Sequence, residues 1–345
     1  MLKYKGEIQM KSRIKYIDIA KAIGIYLLIV EHMGFKYGDY YLKIVITSFH
    51  MPLFFILSGM VLNTSKTFKE HIISRAKSIL IPYVIWALIS CRFSWKNLLY
   101  IFYASNKSLS CVGDFSVLWF LPCLFLADIF TYAIVKFKNQ LFFIVFSMAG
   151  CGAVSLCLKY IVKTLKYDFP WSFDVALTAT CFILFGHIIS ENKLIDKIKN
   201  MTKLSIVSVV CLLLIITAVS SIFNYDARNN VFGCVVMAWG LYGNYFLFCI
   251  SSFFGSVLII LLSSLVESIR GLSQIIQKIG QVTLLIMVIH QQIIILLEKI
   301  AIKFYLGANF PVLIVFSLIT LFASYFLAEV IMYLIPNLAG KNMNK

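Results

Sequence analysis

The stretch G-N-Y-F-L-F-C-I-S-S-F-F-G-S-V-L-I-I-L-L-S-S-L-V, residues 243–266, runs without a single charged side chain. As an α-helix it spans about 36 Å, enough to cross the roughly 30 Å hydrocarbon core of a bilayer. Working outward from it, apolar runs lie at 17–35, 44–63, 78–91, 117–136, 141–160, 173–190, 204–223, 280–298 and 311–334. The third is short. The fold expected is an all-α, polytopic transmembrane bundle of about ten helices, forming one domain over 1–345 with a basic leader (1–16) and a short tail (335–345). Val231–Tyr242 is apolar but rich in glycine, and reads as an eleventh span, a re-entrant piece or an outer loop.

Composition points the same way. Of the 345 residues 61% are hydrophobic and 13% charged, where soluble domains carry about 25% charged residues. The net charge of +16 would suggest nucleic acid in a soluble protein. Here the basic residues gather at the ends of apolar runs, where they set topology and meet anionic lipid headgroups. The bilayer is therefore an expected partner and nucleic acid is not. With ten spans, the leader (Lys3, Lys5, Lys11, Arg13, Lys15) and the loops holding Lys66, Lys69, Arg75, Lys77, Lys193, Lys197, Lys199 and Lys203 fall on one side. That asymmetry places both termini in the cytoplasm. The first apolar run is long enough to stay as an anchor rather than to be cleaved.

The nine cysteines include no C-x-x-C and no zinc-ligand spacing with histidine, so no metal is expected and most read as small buried hydrophobes. Cys91 and Cys111 flank one loop and are a candidate pair if that loop faces an oxidising compartment.

Ionisable groups at membrane depth are costly and mark candidate sites. The first span carries Asp18, Lys21, Glu31 and His32. Lys21 and His32 are eleven positions apart, an angular offset of about 20° and a rise of about 16 Å on one helix face. Asp18 lies about 40° from His32 in projection and at ion-pair spacing from Lys21. Glu31 points about 100° away from His32, toward a neighbouring helix. On the returning second span, His50 is expected at the depth of His32. It is followed by Met51-Pro52, where an irregular backbone is expected because proline disfavours helical dihedrals in the residue before it. Plainer readings stand beside these: Lys21 as a snorkelling interfacial residue, Asp18 as its ion-pair partner, and His32, His50 and mid-span His290 as packing histidines. His187 and His71, the latter in a cytoplasmic loop, read as structural or solvated. Asp174 suits the start of its helix.

Several of these residues sit in longer patterns. I-D-I-A-K-A-I-G-I-Y-L-L-I-V-E-H (Ile17–His32) and S-F-H-M-P-L-F-F-I-L-S-G (Ser48–Gly59) are followed by Arg75 leading into I-L-I-P-Y (Ile79–Tyr83). L-W-F-L-P from Leu118, F-D-V-A-L from Phe173 and I-G-Q-V-T-L-L-I-M-V-I-H (Ile279–His290) complete the set. In this order the chain resembles the acyltransferase-3 family of integral membrane acyltransferases, especially its fucose 4-O-acetylase-like branch. The resemblance implies a multi-pass protein of the cell inner (plasma) membrane. It implies acyl transfer, most often of acetyl from cytoplasmic acetyl-CoA, to a hydroxyl of a cell-surface or lipid-linked glycan. The family's essential histidine maps to His32 and its basic partner to Lys21, where most relatives have arginine. The family's Arg-x-x-Arg reads Arg75-Ala76-Lys77-Ser78, without the second arginine. Arg75, Lys77 and Lys21 are the expected contacts for the CoA phosphates. His32 is the expected general base, with His50 or Glu31 orienting or protonating its partner. A covalent acyl-histidine is the alternative route. A transporter or flippase of lipid-linked glycans is the rival function, though no internal symmetry between two halves is evident.

Overall fold

A computed structural model describes residues 14–37, 40–90, 95–112, 116–165, 168–305, 307 and 309–335. The leader up to Arg13, Cys91 and the tail beyond 335 lie outside the described residues. The chain is 84% helical, and no strand occurs among the described residues. Nine helices among the described residues are long and apolar enough to cross a membrane. Before them comes α1 (Lys15–Tyr37), set apart by its charged side chains. The nine are α2 (Tyr40–Met60), α3 (Phe68–Ser90), α4 (Ser116–Phe137), α5 (Leu141–Ile161), α6 (Pro170–Glu191), α7 (Lys203–Ile222), α8 (Tyr245–Val266), α9 (Thr283–Lys303) and α10 (Phe310–Leu334).

At the centre is α2, packed against α1, α6, α7 and α8. Its contact with α6 is closest where two glycines face each other's backbone. A Cβ on Gly59 would lie 1.9 Å from the Ile183 carbonyl oxygen, and one on Gly186 would lie 2.0 Å from that of Ile56. Small residues at such crossings let the helix axes approach, since lipid provides no hydrophobic drive to press them together.

Two expectations need correction. The third span does not begin near residue 78. A capping box, Thr67 with Glu70, starts the helix at Phe68, and the charged stretch read as a cytoplasmic loop is helical. His71 and Arg75 thus lie within α3, where partners described below satisfy them. The helix passes through a π turn at Ala76–Leu80, in which the Ile81 N–H reaches back to the Ala76 carbonyl. Pro82 follows, and a π turn is a recognised way to absorb such a break in the ladder. The second correction concerns Met51-Pro52, where α2 continues unbroken with Pro52 inside it. Proline cannot donate to the Ser48 carbonyl four residues back; Ser252 Oγ of α8 donates to that oxygen instead, at 2.8 Å. A neighbouring hydroxyl re-satisfies the freed group, as the interior of a membrane protein requires.

Val231–Tyr242 is not an eleventh span. It folds as a loop with a 3₁₀ turn at Met237–Trp239 and one antiparallel bridge, Val236 to Leu241. Lys43 Nζ of α2 donates to its Phe232 carbonyl at 2.9 Å, holding the loop over the bundle.

Candidate active site

One face of α1 carries Lys21, Ile25, Leu28 and His32 at spacings of four, three and four, so these side chains line up along the helix. Two cavities follow that line. The first, about 240 Å³, is walled by Lys21, Ile25, Leu28, Phe54, Ser58 and Arg75 among others. The second, about 210 Å³, holds Glu31, His32, His50, Asn106, Trp119 and Trp239. They share four residues, Leu28, Met51, Phe120 and Met287. This shared wall, or collar, is wholly apolar, and its two methionines are flexible side chains.

At the Lys21 end the charges are paired. Lys21 Nζ lies 3.5 Å from the buried Asp18 carboxylate. Arg75 grips Asp128 of α4 through Nε to Oδ2 at 2.9 Å and Nη2 to Oδ1 at 2.5 Å. The same Nη2 lies 3.3 Å from Ser58 Oγ. His71 Nε2 donates to Asp128 Oδ2 at 2.5 Å, and its ring stacks on Tyr132 with centroids 3.9 Å apart. Asp128 is fully buried, while Arg75 keeps 24% of its side chain exposed toward the cavity. A buried carboxylate held by a guanidinium and an imidazole N–H is expected, because unpaired it would be prohibitive. It also fixes the guanidinium plane, leaving Nη1 outside the Asp128 fork. Lys77 is not brought to this cavity. It lies exposed on the far side of α3, in a groove walled by Ile73, Leu80, Ile81 and Val84.

The His32 end is different. His32 Nε2 lies 3.5 Å from Glu31 Oε2, so the carboxylate sits beside the ring of the next residue. His50 Nδ1 is 3.0 Å from the Ile46 carbonyl. A carbonyl only accepts, so Nδ1 carries a hydrogen and donates it. His290 of α9 completes the group. Its ring meets that of His32 edge to face, with centroids 5.1 Å apart. His290 Nδ1 donates to the Ile286 carbonyl at 3.2 Å, while its Nε2 is buried and finds no hydrogen-bond partner among the described residues.

The sequence gives α1's stripe and the pairing with α2, and it marks His290 only as a mid-span histidine. It does not bring His290 to His32, or Asp128 to Arg75, because each contact joins side chains on different helices, α9 to α1 and α4 to α3, and periodicity within one helix does not say which face meets which neighbour. Their one advance signal is that each is an ionisable residue inside an apolar run. Among the described residues no three His, Cys, Asp or Glu side chains gather as a metal site would.

The acyltransferase domain family matches the chain over residues 14–329, spanning α1 to α10. The chain belongs to the acyltransferase-3 family. Comparison with curated proteins and with solved structures gave no match. The protein is thus a multi-pass membrane acyltransferase. Both cavities, the apolar collar and every charged group described above lie inside the matched span.

Proposed function

We propose that this acyltransferase moves an acetyl group from cytoplasmic acetyl-CoA to a hydroxyl of a cell-surface or lipid-linked glycan, at the inner (plasma) membrane. The proposal places it with the fucose 4-O-acetylase-like members whose motifs it resembles. The observation that carries this reading is the row of two adjoining cavities that share one apolar wall, with cations at one end and imidazoles at the other. A CoA ester has the same polarity: phosphates at one end, a thioester at the other. About twelve bonds of pantetheine separate them, the reach of about four extended residues or roughly 14 Å. The rise from Lys21 to His32 along α1 is about 16 Å.

In this reading Arg75 and Lys21 bind the phosphates, and Lys77 takes no part in the cavity itself. The pantetheine arm threads past Leu28, Met51, Phe120 and Met287. The acceptor hydroxyl enters from the opposite side, against His32. Its proton passes to His32 as its oxygen bonds to the thioester carbonyl carbon. Collapse of the tetrahedral adduct breaks the carbon–sulfur bond, and the departing CoA thiolate takes the proton back from the imidazolium. Glu31, beside His32, stabilises that imidazolium, and His50 and His290 orient the ring. General-base catalysis of this kind contributes about 10²- to 10⁴-fold.

The test is label transfer from radiolabelled acetyl-CoA to the cell's own surface glycan in membranes containing wild type or His32→Ala. A loss of about 10²-fold or more in transfer, with acetyl-CoA binding retained, is expected. Undiminished transfer by the variant would remove His32 as the base. Absence of any transfer by wild type, with transport of the glycan intact, would turn the reading toward a flippase.

A further inference from the structure

A third cavity, about 120 Å³, adjoins the His32 cavity and shares Asn106, Ala238 and Trp239 with it. Neither of the two reaches the roughly 300 Å³ at which small-molecule sites begin; together they do. The chemistry changes across the shared wall. Beyond it lie Lys107, Lys159, Asp168 and Asp174, two ammonium groups against two carboxylates. This cavity mixes those charged groups with apolar walls from Phe169, Val175 and Leu241, and it is formally neutral.

Its members are held in place from several sides. Lys159 Nζ of α5 donates to the Trp239 carbonyl, which ties this cavity to the wall of the His32 cavity. Asp168 Oδ2 accepts from Ser105 Oγ at 3.4 Å, and its backbone carbonyl accepts from Tyr103 OH. Asp174 is buried near the start of α6, just after two non-glycine residues in the left-handed region, Trp171 (φ 56°) and Ser172 (φ 49°). Such a pair persists only where surrounding contacts impose it, and Trp171 Nε1 donates to the Phe102 carbonyl at 2.9 Å.

We propose that this cavity is a second acceptor subsite, taking the neutral sugar unit next to the one that is acylated. The inference rests on the glycan-acylation reading above and narrows its acceptor to an oligosaccharide or lipid-linked repeat, excluding a free monosaccharide. A lipid chain would have to lie against four charged side chains, which is costly without compensating bonds, and an anion would meet as many carboxylates as ammonium groups. A neutral sugar ring offers hydroxyls that donate to carboxylates and accept from ammonium groups, both as charge-assisted bonds. At the junction, Trp239 presents an aromatic surface of the amphipathic kind that covers the C–H face of a sugar.

The experiment uses membranes holding the full-length chain, labelled acetyl-CoA and three acceptors. These are the de-acylated surface polysaccharide of the producing cell, its oligosaccharide fragments and its constituent free monosaccharides. Fragments of two or more units should show kcat/KM at least about tenfold above the monosaccharides. Asp174→Asn and Lys159→Gln should each erode that ratio about tenfold, as loss of one charge-assisted bond implies. Equal kcat/KM for fragments and monosaccharides with wild type overturns the subsite, whatever the variants do. So does a ratio that both variants leave intact. No transfer to any of the three acceptors overturns the acylation reading itself, and the subsite with it.

Discussion

The two ends of the candidate site satisfy their polar groups in opposite ways. Around Arg75 every oxygen of Asp128 is taken, one by Arg75 alone and the other by Arg75 and His71 together. Around His32 a buried imidazole nitrogen, Nε2 of His290, is left without a partner among the described residues. Saturated networks fix geometry, whereas an unsatisfied buried group costs stability and tends to sit where function needs it. The difference fits the proposed division, in which the Lys21–Arg75 end binds and the His32 end reacts. In that reading the saturated network around Arg75 holds charge that arrives with a ligand. The unpaired His290 nitrogen beside His32 marks the end where stability gives way to chemistry.

The largest test of that contrast is Asp128→Ala. It strips the shared carboxylate from Arg75 and His71 and breaks a buried ion pair by removing one partner, so it should cost about 3–5 kcal/mol of stability. Thermal unfolding in detergent would register it, together with loss of CoA binding. If Asp128→Ala unfolds no earlier than wild type, the network is not the structural anchor described here.

At the other end, His290→Phe should do the reverse. An aromatic ring is kept while both nitrogens go, the unpaired Nε2 and the Nδ1 that donates to the Ile286 carbonyl. Relief of the unpaired atom, about 1–3 kcal/mol, outweighs the bond lost, about 0.5–1.5 kcal/mol. Stability should therefore rise slightly, while kcat falls and the KM for acetyl-CoA stays put. A variant more stable and equally active would make His290 a packing residue and erase the contrast. Arg75→Lys sharpens the binding end alone. Lysine keeps the charge but cannot span Asp128 and a phosphate with one planar fork. A rise of about tenfold in KM for acetyl-CoA, about 1.4 kcal/mol, is expected with little change in kcat.

Legibility in the sequence divided along physical lines. Helix number was readable because crossing a bilayer demands long apolar runs, and those survive any arrangement of neighbours. The Lys21–His32 stripe was readable because helical periodicity within α1 needs no knowledge of other elements. The start of α3 was not, because Lys69, Glu70, His71 and Arg75 look like a solvated loop until Asp128 is seen opposite them. Pro52 misled for the same reason. In isolation it breaks a ladder, and only Ser252, some two hundred residues on, repairs it. Likewise nothing in Val231–Tyr242 showed that it would wall the His32 cavity, since its position depends on tethers from Lys43 and Lys159.

The smallest predicted effect concerns that repair. Ser252→Ala removes the donor to the Ser48 carbonyl, one turn before Pro52 and two residues before His50. Interhelical hydrogen bonds in membrane proteins average about 0.6 kcal/mol, so unfolding should shift barely beyond error. The rate is the more sensitive gauge. His50 takes its orientation from the Ile46 carbonyl on the same turn of α2, and a relaxed Ser48 carbonyl lets that turn move relative to α1. If Ser252→Ala lowers kcat by more than its stability cost converts to, the hydroxyl acts through the geometry of the histidine end. If rate and stability fall in step, Ser252 merely patches a proline gap, and the placement of His50 is set by α2 alone.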